Sequence, residues 1–514
     1  MDGIEGLRTP CRQKRILKGQ MRANGNQSMP LDVLPAIRCL ALVFAICGSV
    51  SRVSGQAKES PRSLLREAEL PRGSDTTIVD AVGSGEEQHN PHSKSGQRSG
   101  TVEGKPLTGA DEPTESPQRG NPLLMHSRGT AQGMIAPMAE LQRVRDAKPQ
   151  GPIVDRVMVA ADSALVRKPA SVMDKTMAPP SGDKHDYMSI GIYWWPDPTK
   201  PDGLPWVRRD GKVNPDTMEG VATDGGTLQR MARDVETLTA AWWLSDDHRY
   251  ADQAALLLRT WFLDPATRMN PHLRYGQGVP GKSEGREFGI ITGVHFMPLL
   301  DAVQLLRNSP AWTDADDAAF RQWFARYLDW LKTSPFGKRI AQAANNHATW
   351  YAVQTHRIQA FVSPEAVGAG KPLAASLVAA FDRRMEAFAA DGSQPEELGR
   401  TLSLTYSMYN LYAQATLARL GEAHGLDLWR RDPRLAAAFD FVAPAFAEPP
   451  VWLHQQIEPF KVDQARPPLI LGGHGLGRPD LLDTAQRLAA DAVHLGLLDI
   501  AALATQLPEP ASRP

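Results

Sequence analysis

The sequence predicts an all-α protein, an α/α toroid built from antiparallel helical hairpins and carrying long, aromatic-rich loops. Three observations lead there. Apolar residues recur at steps of three and four over most of the chain beyond Gly133, convincing alternating strands are scarce, and the helical runs follow one another as hairpins. A solenoid would use the same hairpins. The toroid is preferred because no obvious polar capping repeats are present.

The elements follow in order. Leu228, Met231, Val235, Leu238 and Trp242 form the stripe of an amphipathic helix. A polar "SDDHR" breaks it, and Tyr250 to Phe262 resumes with Ala254, Leu257, Leu258 and Trp261, which makes a hairpin. Phe288 to Leu306 reads as one helix, and Asp314 to Lys332 as another, capped by Thr313 with Asp316 three residues on. Asn346 to Ala360, Ala374 to Ala389, Thr401 to Leu420 and Leu481 to Leu497 complete the set.

The amino-terminal part has a different character. Arg12, Lys14, Arg15, Lys18 and Arg22 precede an apolar run from Cys39 to Val50, and small residues then end at Gly55-Gln56-Ala57. That order, basic then apolar then small, is the layout of a secretory signal peptide. Residues 1–57 are therefore expected to be a signal peptide with an extended leader, whose true start is Met21 or Met29. The run is too short to span a bilayer comfortably, so no membrane span is expected in the mature form, which would be periplasmic or secreted. All three cysteines, Cys11, Cys39 and Cys47, would leave with the leader. Residues 58–132 are rich in Gly, Ser, Pro and charge, with almost no aromatics, and are expected to be a disordered spacer. The folded domain is expected over 133–514.

The totals exclude little, but they do weigh against some partners. A formal net charge of −1 over 514 residues lacks the basic excess of a nucleic-acid-binding domain. No G-x-G-x-x-G follows a strand, and no Walker A, H-E-x-x-H, paired-cysteine or G-x-S-x-G pattern occurs. Neither a cofactor nor a metal is expected.

Two loops and two helix entrances carry the chemistry. The loops run from Ser181 to Asp216, with His185, Tyr193, Trp194, Trp195 and Trp206, and from Leu263 to Glu287, with Arg286. Loops of this length are usually functional, and indoles beside charged groups suit a sugar ring. The first entrance is "QAANNHATWYAVQ", where Asn345, Asn346 and His347 stand together although one cap would do. The second is "DGSQPEELGRTLSLTYSMYNLYAQ", with Arg400, Tyr406, Tyr409 and Asn410. On an ideal helix Arg400 and Tyr406 lie roughly 120° apart, so they share a face only if Arg400 sits at the helix entrance.

Asn, His, Arg and Tyr together suit β-elimination from a 4-linked uronic acid. A cation and amide donors at the C6 carboxylate stabilise the enolate-like state reached when the C5 proton leaves. A base takes that proton and an acid protonates the departing O4. Tyrosine serves in both roles if a neighbouring arginine lowers its pKa, while histidine shares the base duty or holds the tyrosine.

The segments "YWWPDPTKPDGLPWVRRDGKVNPD", "RTWFLDPATRMNPHLRYGQGVPG", "NNHATWYAVQ" and "DGSQPEELGRTLSLTYSMYNL", in this order, resemble the alginate lyase domain family over about Ser171 to Phe446. The spacing of arginine and tyrosine is closer to polysaccharide lyase family 38 than to family 5, where it is one residue longer. The resemblance implies an incomplete α/α barrel with an open cleft, acting on an anionic polysaccharide, either alginate or glucuronan. It assigns catalysis to Asn346, His347, Arg400 and Tyr406, with Asn346 gripping the substrate carboxylate and His347 beside C5. His185, Tyr193, Trp194, Trp195, Arg286 and Tyr409 are candidate substrate contacts, Tyr409 also as a substitute for Tyr406. Two alternatives remain at this stage. One is a glycoside hydrolase on the same scaffold using Asp224, Asp234 or Glu397; the other is a non-catalytic polyuronate-binding envelope protein.

Overall fold

A computed structural model describes residues 133–508 apart from Val221. The expected leader and spacer, residues 1–57 and 58–132, lie outside the described residues.

Helices α1 (Met138–Ala147) and α2 (Pro152–Leu165) open the described fold. Strands β1 (Met188–Ile190), β2 (Trp194–Trp195) and β3 (Val207–Arg208) lie in the first long loop. Then come α3 (Gly225–Ser245), α4 (His248–Leu258), β4 (Tyr275–Gly278), α5 (Met297–Leu306), α6 (Asp314–Thr333), α7 (Pro335–Ile340) and α8 (Asn346–Val362). The remainder is α9 (Pro372–Met385), α10 (Pro395–Leu398), α11 (Ser403–Glu422), α12 (Pro433–Val442), α13 (Arg466–Leu476), α14 (Pro479–Leu488) and α15 (Leu497–Ala502).

Helix α3 packs on α5, α5 on α8, α8 on α11, α11 on α13, α13 on α15, and α15 back on α3. Each of these inner helices has outer companions, α2 and α4 beside α3, α6 beside α8, α9 and α12 beside α11, and α14 beside α13. This is an α/α toroid. The sequence explains its local joints. Asp246 takes a left-handed conformation and the Asp247 side chain caps α4, which turns the first hairpin. Thr313 and Asp316 form the reciprocal capping box at α6. Between the inner and outer helices, Phe262, Phe296, Phe320, Trp323, Phe324 and Tyr327 pack mostly edge to face.

Two helices differ from the sequence expectation. Glu287–Phe296 is a 3₁₀ helix that becomes α-helical only at α5. Close packing accounts for it, because a Cβ on Gly289 would lie 2.4 Å from the Gly276 carbonyl oxygen, and one on Gly293 2.0 Å from Gln354 Oε1. Among the described residues, Glu287–Leu306 is the stretch long and apolar enough to cross a membrane, and most of it is buried in the core. The run expected as one helix from Leu481 to Leu497 ends instead at Leu488 and restarts at Leu497. Arg156 donates to the carbonyls of Ala489 and Ala492, and Glu236 accepts from the Leu497 N–H, so side chains satisfy the broken ends.

Short strands fasten the long loops. β1 runs parallel to β4, which joins the first loop to the second, and β2 pairs antiparallel with β3, Trp194 opposite Arg208.

Candidate active site

Asn345 is the cap of α8: its backbone is extended and its Oδ1 accepts the His347 N–H at 3.2 Å. Asn346 therefore has another use. It is 1% exposed, its backbone N–H donates to Glu397 Oε1 at 2.6 Å, and its Nδ2 lies 3.0 and 2.9 Å from the two Glu397 oxygens. Its Oδ1 is buried without a partner among the described residues. The expected grip on a substrate carboxylate is thus not displayed; the amide is committed to a buried acid. Burial raises the Glu397 carboxyl to about 7, against the pull of the Asn346 hydrogen bonds and the Arg400 charge.

His347 is half-buried, with Nδ1 3.2 Å from Asn345 Oδ1 and its ring edge-on to Phe288 at 5.2 Å. Burial, with the charges of Arg400 and Arg286, lowers it to about 4, so the imidazole is neutral near pH 7.

Arg400 precedes α11 rather than lying on it, which removes the angular conflict with Tyr406. The short α10 ends in a turn where the Arg400 N–H donates to the Glu397 carbonyl at 3.2 Å. From that turn the guanidinium covers the Tyr406 ring, Cζ 3.8 Å from the centroid. Its Nη2 donates to Asp210 Oδ1 at 2.8 Å, and the Thr401 hydroxyl donates to Asp210 Oδ2 at 2.9 Å. Burial works to raise the Asp210 carboxyl, but these bonds and the Arg400 charge hold it at about 2. Gly211 lets the loop approach so closely: its φ is +73°, and a Cβ there would lie 2.5 Å from Thr401 Oγ1.

The Tyr406 hydroxyl donates to the Tyr193 hydroxyl at 2.8 Å. Burial, reinforced by Tyr193, pushes the Tyr406 phenol well above its ordinary pKa; Arg400 pulls the other way and loses. Here the expectation of a lowered tyrosine pKa fails, because the cation lies on the ring face of a desolvated phenol. The Tyr406 phenol is therefore protonated at neutral pH.

Trp194 and Arg286 adjoin this group. Arg286 donates to the Gln277 carbonyl at 2.8 Å, and its Cζ lies 5.4 Å from the Trp194 ring and 5.3 Å from Phe288, which in turn touches His347. The ammonium of Lys282 also lies over Trp194, at 5.2 Å. Three other candidates face elsewhere. His185 Nδ1 bonds the Arg268 carbonyl at 2.6 Å and ties the two loops together. Trp195 donates to the Lys212 carbonyl at 3.0 Å and lies under Arg209. Tyr409 packs on Trp350 at 5.1 Å, and burial raises its hydroxyl far above the usual range.

Asp210 and Phe288 are neighbours that sequence reasoning did not place at the site, and Glu397 was named there only as a hydrolase carboxylate. The only available signal was position: Asp210 lies in the quoted loop, Glu397 three residues before Arg400, and Phe288 two after Arg286. Of the three hydrolase carboxylates, Glu397 lies under Asn346 and the other two are engaged with partners of their own. Asp224 is buried against Lys175 at 3.1 Å and the Met188 N–H, and Asp234 faces Arg167 at 3.3 Å. Among the described residues no group of three or more His, Cys, Asp or Glu side chains could hold a metal ion.

With this geometry in hand, comparisons identify the relatives. Residues 171–452 match the family model for alginate lyase. The crystal structure of an alginate lyase from Bacteroides ovatus is 33% identical, with a TM-score of 0.63, over 72% of this chain and 98% of that one. Alginate lyase A1-III from Sphingomonas species A1 is 16% identical with a TM-score of 0.40, over 66% of this chain and 93% of that one, a likeness too distant to carry weight. No curated protein matches the chain. A toroid of this kind, matched by the family model over more than half its length and by a solved member at one-third identity, is a polysaccharide lyase, and the chain belongs to the alginate lyase family.

Proposed function

We propose that the protein cleaves 4-linked polyuronates, alginate first among them, by β-elimination that uses side chains alone. The observation carrying this is the assembly of a protonated Tyr406, its Arg400 and Tyr193 neighbours, and a neutral His347, in a chain of this family. Arg400 takes the uronate carboxylate and stabilises the charge that builds on it. With Nδ1–H directed at Asn345 Oδ1, His347 keeps Nε2 as a base for the C5 proton. The C5–H electron pair forms the C4–C5 double bond as the C4–O4 bond breaks. Tyr406 delivers its proton to O4, and exchange with solvent resets both residues. No water is consumed, and the new chain end is a 4,5-unsaturated uronate.

The reading supports His347 as base and Tyr406 as acid over a tyrosine in both roles, because burial holds the phenol in its protonated form. Incubation with polymannuronate, polyguluronate and glucuronan, followed by ultraviolet absorbance of the conjugated product, tests it. New reducing ends without that chromophore would mean hydrolysis, and binding without loss of viscosity would mean a non-catalytic protein. The leader pattern over 1–57 supports a periplasmic or secreted site of action; amino-terminal sequencing of the exported chain would reveal an uncleaved leader if this is wrong.

A further inference from the structure

We infer that Glu397 is a positioning residue that works with its carboxyl protonated, holding Asn346 next to His347 and adding no second negative charge beside Arg400, where an anionic sugar binds. The inference rests on the proposed function and deepens it. Three features of the geometry lead to it.

The first is placement. Glu397 is 1% exposed on α10, three residues before Arg400, and every hydrogen bond to its carboxyl comes from Asn346. A buried ionised carboxylate whose hydrogen bonds come from amide groups and not from a cation is costlier at such a position than a neutral one.

The second is a charge count. The groups around Glu397 are Arg400 and Glu396 from its own segment, and Asn346 and His347 from the entrance of α8. His347 is neutral near pH 7, and Arg400 is already matched by Asp210 at 2.8 Å, which stays ionised. A second ionised acid would offset one of the positive charges that Arg400, Arg208 and Arg286 set against Asp210 where a uronate carboxylate must bind. Burial that raises Glu397 to about 7 points the same way.

The third is the orphaned atom. With Nδ2 facing Glu397, the Asn346 Oδ1 is buried and unpartnered. A protonated carboxyl donates its O–H to that amide oxygen once the amide turns over, while the other oxygen keeps the backbone N–H of Asn346. Oδ1 then has a partner, and the Asn346 NH₂ is turned away from the acid into the position the oxygen had held.

Two substitutions test this on polymannuronate across pH. Wild-type kcat/KM is expected to decline as pH rises through about 7, the free-enzyme ionisation of Glu397. Glu397→Ala lowers kcat/KM at every pH. Glu397→Gln, which keeps a neutral donor and acceptor, recovers part of that loss and removes the decline. A Gln variant that declines at the wild-type pH, or is as impaired as the Ala variant, overturns the inference. Thermal unfolding gives a readout independent of turnover. A folded-state pKa above the unfolded value of roughly 4.3 stabilises at low pH and is lost as pH rises through the folded value. The wild type should therefore lose ground to Glu397→Gln between pH 5 and pH 8, and a constant difference in Tm would sink the idea. A wild type inert on every polyuronate sinks the proposed function instead, and the unfolding comparison still decides the state of Glu397.

Discussion

The hydroxyls of Tyr406 and Tyr193 meet at 2.8 Å although 213 residues of chain separate them. One comes from the entrance of α11 and the other from the loop before β2, so the contact brings a loop onto a helix start. The proton that Tyr406 is proposed to deliver lies in that contact.

Tyr406→Phe keeps the ring under Arg400 and removes the proton. Turnover should fall by about 10²- to 10⁴-fold, the usual contribution of a general acid, with oligouronate affinity nearly intact. Single-turnover ultraviolet kinetics and calorimetric binding separate the two; near-normal turnover would reassign the acid.

Arg400→Ala should cost about 3 kcal/mol of transition-state stabilisation, read as a fall in kcat/KM. It also leaves Asp210 without its principal partner. Arg400→Lys should not restore the rate fully, since a point charge cannot both cover the Tyr406 ring and bond Asp210.

The acid limb of kcat/KM should follow His347, with activity falling as pH drops through about 4. The sign follows from burial, which favours the neutral imidazole. The same residue contributes stability above its unfolded pKa of about 6.5 that is lost as pH falls toward the folded value. A pH–rate profile with its acid limb near neutrality would contradict this assignment.

Asp301→Ala should destabilise the fold by about 3–5 kcal/mol without touching the site. Asp301 holds the buried Arg357 at 2.7 Å and accepts from the N–H groups of Ile135 and Ala136. Its loss leaves a buried cation and two backbone donors unpaired. Urea unfolding should show a lower midpoint at unchanged slope.

Exhaustive treatment with a chelator should leave elimination unchanged, because the proposed steps are carried by Arg400, His347 and Tyr406. Inactivation that added divalent metal reverses would count against the proposal.

Periodicity made α3 legible in the sequence, and the Thr313 box marked the start of α6, because those signals are local. The 3₁₀ course of Glu287–Phe296 was not legible, since Gly289 and Gly293 respond to backbone and side chains from distant segments. At the candidate site, motif order brought Asn346, His347, Arg400 and Tyr406 into view. Their partners stayed hidden. Nothing in the chain distinguishes Asp210 among 58 acidic residues, or gives Glu397 a part in elimination rather than hydrolysis, until folding sets one against Arg400 and buries the other under Asn346. The direction of the Tyr406 shift was not legible for a related reason, as spacing shows a nearby arginine but not the depth of the phenol.

The parallel pairing of β1 with β4 has a practical consequence for anyone reshaping specificity. It stitches the stretch bearing Tyr193 and Trp194 to the one leading into Arg286, while Asp210 moors the former to Arg400. Grafting either stretch alone from a relative would tear a seam shared by both, so the two must be exchanged as a matched set.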